Sequence, residues 1–103
     1  MPRYRVLLRG ENFPLELESE EKLYGFYTTR WVWAADEYAA EQKAVERVKQ
    51  DQHLVSQIVH NETEPMIYLE DIDVDTWFSF KKGKGYSFYP MDEGEEEDTK
   101  DAT

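Results

Sequence analysis

The longest regular pattern in the chain runs over residues 23–50, where a strand pattern changes directly into a helix pattern. Within Leu23–Ala34, β-branched and aromatic residues favour a β-strand. Asp36 is a good helix N-cap, and small apolar residues then follow at a spacing of four. These residues are Ala40, Ala44 and Val48. The pattern therefore predicts a helix over Asp36–Gln50 that packs closely against a sheet.

Both faces of the predicted strand carry large apolar side chains, because apolar and aromatic residues occupy positions of both parities. One face holds Tyr24, Phe26, Thr28, Arg30 and Val32. The other face holds Leu23, Gly25, Tyr27, Thr29, Trp31 and Trp33. One helix can cover only one of these faces. We therefore expect either a central position in the sheet or a second chain against the other face.

The N-terminal segment Arg3–Arg9 alternates in the same way and predicts a half-buried strand. Tyr4, Val6 and Leu8 share one face, and Arg3, Arg5, Leu7 and Arg9 share the other. The arginines have two interpretations: they pair with acids on a neighbouring strand, or they form an anion-binding face. Gly10–Asn12 is interpreted as a turn or strand end, and Glu16–Lys22 as a solvated connection or a short helical turn.

The remaining segments predict shorter elements. Asp51 can cap a short second helix, and Met66–Val74 predicts another strand. Residues 75–82 continue that strand or begin a new one, and the Gly83–Gly85 segment predicts a turn before a last strand over Tyr86–Tyr89. The fold class is therefore α+β. We expect one domain over residues 1–91, with an antiparallel sheet of three to five strands packed on one main helix.

Charge and composition add a tail and exclude several classes of site. The formal net charge is −11, and residues 92–103 contain seven acidic residues and one lysine, which predicts a disordered acidic C-terminal tail. The chain has no cysteine, so disulfides, thiolate zinc sites and cysteine nucleophiles are excluded. No apolar run approaches the roughly 20 residues of a membrane span. We expect a cytoplasmic protein that does not bind a membrane.

Catalytic and metal motifs are weak. Asp71, Asp73 and Asp75 are spaced like the opening of a calcium loop, but Thr76 and Lys82 occupy the positions that need glycine and glutamate. These acids are interpreted as a solvated strand end. The two histidines, His53 and His60, complete no known motif. We therefore expect no enzyme activity, no cofactor, no metal and no catalytic residue.

Cations and aromatic residues are interleaved in one stretch, residues 77–89. This combination is typical of three structures: a core hairpin with lysines protecting its edge, a subunit interface, and a surface for single-stranded nucleic acid. The candidate interaction residues are Tyr27, Trp31, Trp33, Trp77, Phe80, Tyr86, Phe88 and Tyr89. The candidate anion- or nucleic-acid-binding residues are Arg3, Arg5, Arg9, Lys81, Lys82 and Lys84.

The order of elements also resembles known small domains. The segments RYRVLLRGENF, FYTTRWVWAADEYAAEQKAVERV and MIYLEDIDV resemble short bacterial proteins of unknown function that have a GFYTTR strand before an alanine-rich helix. The layout over residues 3–74 is similar to the β-β-α-β domain of the archaeal ribosomal protein LX group. That resemblance implies RNA binding, although the ribosomal family is basic and this chain is acidic, and it transfers no functional residue.

Two functions follow as hypotheses. The first is a non-enzymatic protein-interaction module that acts as a homodimer or binds another protein through its aromatic sheet face or edge. The alternative is a nucleic-acid-binding accessory domain that uses the arginines and lysines named above. The net charge disfavours nucleic acid as a partner.

Overall fold

A computed structural model describes residues 1–59, 63–75 and 85–91, which form a four-stranded antiparallel sheet with two helices. The elements are β1 (Arg3–Leu17), β2 (Glu20–Trp33), α1 (Glu37–Lys49), α2 (Gln52–Val55), β3 (Met66–Val74) and β4 (Tyr86–Pro90). The predicted α+β class is confirmed, with one main helix and a short second one. The acidic tail over residues 92–103 and most of the predicted turn before β4 lie outside the described residues.

The sheet is built on a long hairpin, and its strand order is β3-β1-β2-β4. β1 and β2 pair along their whole lengths, from Arg3 opposite Trp33 to Leu17 opposite Glu20. The predicted connection over Glu16–Lys22 was therefore wrong, because this acidic segment forms the end of the hairpin. A strand tolerates these charges because its side chains there point into solvent.

A β-bulge replaces the turn that was predicted at Gly10–Asn12. The register of β1 against β2 shifts between Gly10 and Phe13, and Asn12 has a φ of 62°. Asparagine reaches this left-handed conformation more readily than most residues. The bulge shifts the register of β1 against β2 locally, and β1 continues beyond it. β1 is therefore one continuous strand from Arg3 to Leu17, longer than the strand over Arg3–Arg9 that the sequence predicted.

A two-residue turn joins β1 to β2. Its residues, Glu18 and Ser19, have φ values of 52° and 68°. Left-handed conformations at both central positions are the mark of a type I′ turn, whose twist matches that of the flanking strands. Glutamate and serine are less suited to these positions than asparagine and glycine. The turn therefore carries backbone strain.

The core lies between the inner face of the sheet and α1. Val6, Leu8, Phe26 and Val32 are fully buried there. Aromatic rings fill the space that the small helix side chains leave. The centres of the Phe26 and Phe13 rings are 5.0 Å apart. A Cβ atom added to Gly10 would lie only 2.3 Å from an atom of the Phe26 ring. The absence of a side chain at Gly10 therefore makes room for Phe26, the largest of the fully buried side chains.

α1 begins where its sequence predicts. The Asp36 side chain accepts a hydrogen bond from the amide of Ala39, and the buried residues of the helix are Ala40, Ala44 and Val48. Two cations of α1 bond to the part of β2 that lies beyond its pairing with β4. Lys43 donates to the carbonyl of Trp33, and Arg47 donates to the carbonyl of Trp31. These bonds satisfy strand carbonyls that β4 does not reach, since β4 pairs with β2 only up to Thr28.

α2 follows α1 directly. The side chain of Asp51 caps it by accepting a hydrogen bond from the amide of His53, as the sequence predicts. In the described part of the chain, neither helix has the length and apolar composition that crossing a membrane would require.

We expect the double substitution Glu18→Asn with Ser19→Gly to raise the free energy of unfolding by about 1 kcal/mol, because these residues adopt left-handed conformations with less strain. Thermal denaturation followed by circular dichroism would show this as an increase in Tm of several degrees. The matched control, Glu18→Ala with Ser19→Ala, should not raise Tm. An unchanged Tm for the first variant would contradict the assigned turn.

Candidate interaction surface

The sheet face that points away from α1 is called here the outer face, and its side chains form columns. In the antiparallel pairing, Arg5 lies between Trp31 on β2 and Asp73 on β3. Residues directly opposite each other share a face of the sheet. The outer face therefore presents an acidic column on β3, a basic column on β1 and an aromatic column on β2. The strand alternation predicted this division for β1 and β2.

Every arginine of the basic column has a carboxylate partner. Arg3 contacts Asp75 at 2.9 Å. Arg5 contacts Asp71 at 2.8 Å and Asp73 at 2.5 Å, and its hydrogen bonds to Asp73 and Asp71 raise its pKa above the ordinary value. The first interpretation of these arginines, pairing with acids on a neighbouring strand, is confirmed. The same contacts account for the three aspartates, which bind guanidinium groups.

Arg9 completes the column at the other end of the pairing. It contacts Glu70 at 3.0 Å and also pairs with Glu11. Its guanidinium carbon lies 4.7 Å from the centre of the Tyr68 ring, a cation–π contact. Arginine in this column therefore already stacks on an aromatic ring while it keeps its counter-ions.

The aromatic column is the most exposed apolar part of this face. Trp33 is 46% exposed and Tyr27 is 40% exposed. Trp31 is half-buried, and its indole nitrogen is buried without a hydrogen-bond partner among the described residues. Tyr89 extends the column onto β4, with its ring 5.9 Å from that of Tyr27. Four of the sequence-predicted interaction residues therefore lie together.

The other candidates do not join this surface. Tyr86 and Phe88 lie on the inner face, where their rings pack against Phe26 at 5.2 and 6.0 Å. They are partly buried and pack against the core, because the alternation of β4 places them opposite the buried residues of β2. The remaining candidates lie outside the described residues: Trp77, Phe80, Lys81, Lys82 and Lys84.

A buried ionic network lies on the inner face, and sequence reasoning missed it. Arg30 is only 4% exposed. Its guanidinium donates to the Thr28 hydroxyl at 2.6 Å, to the Tyr86 hydroxyl at 2.9 Å and to the Asp51 carboxylate at 3.1 Å. The Tyr86 hydroxyl donates to the same carboxylate at 2.8 Å. The one sequence signal was a charged residue on the apolar face of β2.

The network sets the charge states of its members. Burial raises the pKa of Asp51, but hydrogen bonds from Tyr86 and the His53 amide, together with the charge of Arg30, outweigh it and leave the pKa below its ordinary value of 3.8. Burial and the hydrogen bond to Asp51 raise the pKa of Tyr86. The phenol therefore stays protonated while the carboxylate stays charged. This arrangement is that of a structural ion pair with each member bonded.

We expect Asp51→Asn to lower the free energy of unfolding at neutral pH by about 3 kcal/mol, because it leaves the charge of Arg30 buried without a counter-ion. A lowered pKa in the folded state means that the carboxylate stabilises the fold above its ordinary pKa of 3.8. That stabilisation is lost as the pH falls through the lower, folded-state value. The difference in Tm between wild type and variant should therefore shrink below pH 4.

The matched control for this experiment is Asp36→Asn, the same substitution at the N-cap of α1. Asparagine caps a helix about as well as aspartate, and Asp36 is exposed and faces no buried cation, so we expect a small effect on Tm. Equal effects of the two substitutions, or a difference for Asp51 that does not change with pH, would show that the charge of Asp51 does not stabilise the fold.

Comparison of the chain with family models, with curated proteins and with solved structures found no match. The resemblance to small bacterial proteins and to the ribosomal domain therefore stays a prediction. Among the described residues, no group of three or more histidines and acids is arranged to hold a metal ion.

Proposed function

We propose that the chain is a non-enzymatic protein-interaction module that acts as a homodimer, in which the outer faces of two copies pack together. The observation that carries this proposal is the column of Tyr27, Trp31 and Trp33 beside a column of arginines that already have counter-ions. Tryptophan, tyrosine and arginine are the residue types enriched at protein interfaces. The proposal includes a cytoplasmic location, which the lack of cysteine suits.

The area of the outer face can be estimated from the spacing of its strands and residues. Neighbouring strands lie about 4.8 Å apart, and successive residues of a strand lie about 3.3 Å apart. A face of three to four strands with eight paired residues each therefore has a flat area of about 400–500 Å². Protruding side chains make the accessible area larger than this. The flat area alone is about half of the about 800 Å² per partner that a standard interface buries.

The order of the columns makes the face complementary to itself. A two-fold axis parallel to the strands, between β1 and β2, would place the basic column of one copy on the aromatic column of the other. Each arginine above an aromatic ring would contribute about 0.5–2 kcal/mol through a cation–π contact. The stacking of Arg9 on Tyr68 within one copy shows that an arginine of this column can adopt such a contact.

Burial of this face would not leave charges without partners. Arg3, Arg5 and Arg9 keep their carboxylates when a second copy covers them, so the large penalty for an isolated buried charge does not arise. The ion pairs fix the directions of the guanidinium groups, and the aromatic side chains supply the apolar area. The net attraction therefore depends mainly on the aromatic column.

We expect Trp33→Ser to raise the dissociation constant of the dimer at least tenfold, because the substitution removes the most exposed aromatic side chain of the column. Analytical ultracentrifugation over a range of concentrations measures this directly. Circular dichroism should show an intact fold, since Trp33 lies at the end of its strand and is largely outside the core.

The matched control is Tyr38→Ser. Tyr38 is also aromatic and is 72% exposed, but it lies on α1, away from the outer face. This variant should keep the dissociation constant of the wild type. A wild-type chain that stays monomeric at high concentration would contradict the homodimer, and equal effects of the two substitutions would contradict the assigned face.

The alternative function, binding of nucleic acid, has less support from the described residues. The carboxylates beside Arg3, Arg5 and Arg9 neutralise the charge that a phosphate backbone would need. We therefore expect no binding of a fluorescein-labelled 12-nucleotide single-stranded RNA in anisotropy titrations at low salt. Binding that weakens with salt, and that Arg5→Gln weakens further, would instead support the nucleic-acid alternative.

A further inference from the structure

Among the described residues, one backbone edge of β3 has no strand beside it. β3 is an outer strand of the sheet, and within the described ranges β1 is its only strand neighbour. Its first half also exposes large apolar side chains: Met66 is 46% exposed, and Tyr68 and Leu69 are each 38% exposed. An edge with free N–H and C=O groups and apolar side chains is a template for an additional strand.

A groove lies beside this edge, between the start of β3 and α1. Its volume is about 350 Å³. The lining residues are Phe13, Val45, Lys49, Pro65, Met66 and Ile67. The lining is apolar except for Lys49, and the volume is at the lower end of the range for ligand sites. A free strand edge next to a helix with an apolar groove between them is the arrangement that recognises extended peptides by strand addition.

The second half of β3 determines which occupant fits. Glu70, Asp71 and Asp73 follow the apolar half, and the side chains of Asp71 and Asp73 are 58% and 50% exposed. Although they contact Arg5 and Arg9, the acids outnumber the arginines that pair with them. The same edge of a second copy would bring a second set of acids, and like charges on edge strands oppose such pairing.

We propose that the β3 edge binds an extended peptide segment of another protein, apolar at alternate positions and rich in lysine or arginine at the others. The backbone of the segment pairs with β3. Its apolar side chains cover Leu69 and enter the groove beside Met66, and its cations face the acids from Glu70 to Asp73. The net charge of −11 attracts such a segment at long range. This site shares Asp71 and Asp73 with the acidic column of the outer face, but it does not use the aromatic column of β2.

The test uses a synthetic eight-residue peptide that alternates lysine and valine, labelled with fluorescein and titrated with the full chain in anisotropy measurements. We expect saturable binding that weakens as salt concentration rises. Two control peptides separate the contributions. Replacement of every lysine by glutamate should abolish binding through charge, and N-methylation of alternate amides should abolish it through loss of backbone donors.

Variants of the chain locate the site. Leu69→Arg adds a repelling charge at an exposed position of the edge, so it should weaken peptide binding at least tenfold without loss of the fold. Tyr38→Arg places the same charge on the exposed surface of α1 and should bind as the wild type does. Equal binding of the N-methylated peptide, equal effects of the two variants, or no binding at all would overturn the proposal.

The two proposals can fail separately. Trp33→Ser should weaken the dimer and leave peptide binding unchanged, whereas Leu69→Arg should weaken peptide binding and leave the sedimentation of the chain unchanged. If Leu69→Arg instead converts a dimer to a monomer and the peptide does not bind, the edge belongs to a second copy and the peptide proposal is wrong.

Discussion

The antiparallel pairing of β1 with β2 is the constraint on which the rest of the structure depends. It extends from Arg3 opposite Trp33 to Leu17 opposite Glu20, with one bulge after Gly10. Because opposite residues in such a pair share a face, the pairing collects the buried residues of both strands on one side. α1 covers that side. β3 then joins the outer edge of β1 and β4 joins the outer edge of β2, so both depend on the hairpin for their position.

The Arg30 network connects parts of the chain that the hairpin alone does not hold. The guanidinium belongs to β2, its carboxylate caps α2, and the phenol that bridges them belongs to β4. A buried charge is costly unless each of its donors finds an acceptor, and here the acceptors come from distant segments. The network therefore stabilises one position of β4 relative to the junction between α1 and α2. It also neutralises the charge of Arg30.

The described surfaces have two different chemical characters. On the outer face each arginine meets a carboxylate, so attraction between molecules there depends on tryptophan and tyrosine. At the β3 edge, acids outnumber the arginines that contact them and lie next to exposed apolar side chains. The first surface suits a second copy of an acidic chain because its charges are already paired. The β3 edge suits a cationic segment because its acids outnumber the arginines that contact them. One small domain can therefore present two interfaces, an aromatic one on β2 and an acidic one on β3.

The sequence by itself determined the local elements: the strand over Met66–Val74, the helix that Asp36 caps, and the two faces of β1 and β2. These follow from spacing and capping, which depend on neighbouring residues. It missed the hairpin end at Glu16–Lys22, since acidic residues are compatible with a strand wherever its side chains are solvated. Only the tertiary structure decided the strand order, the acid that each arginine contacts, and the burial of Tyr86 and Phe88. It also brought Arg30 to Asp51 and Tyr86, which are 21 and 56 residues away along the chain. Such contacts depend on which strands are neighbours in the sheet. The alternation of apolar and polar residues along a strand is the same whatever its neighbours are, so it does not predict these contacts.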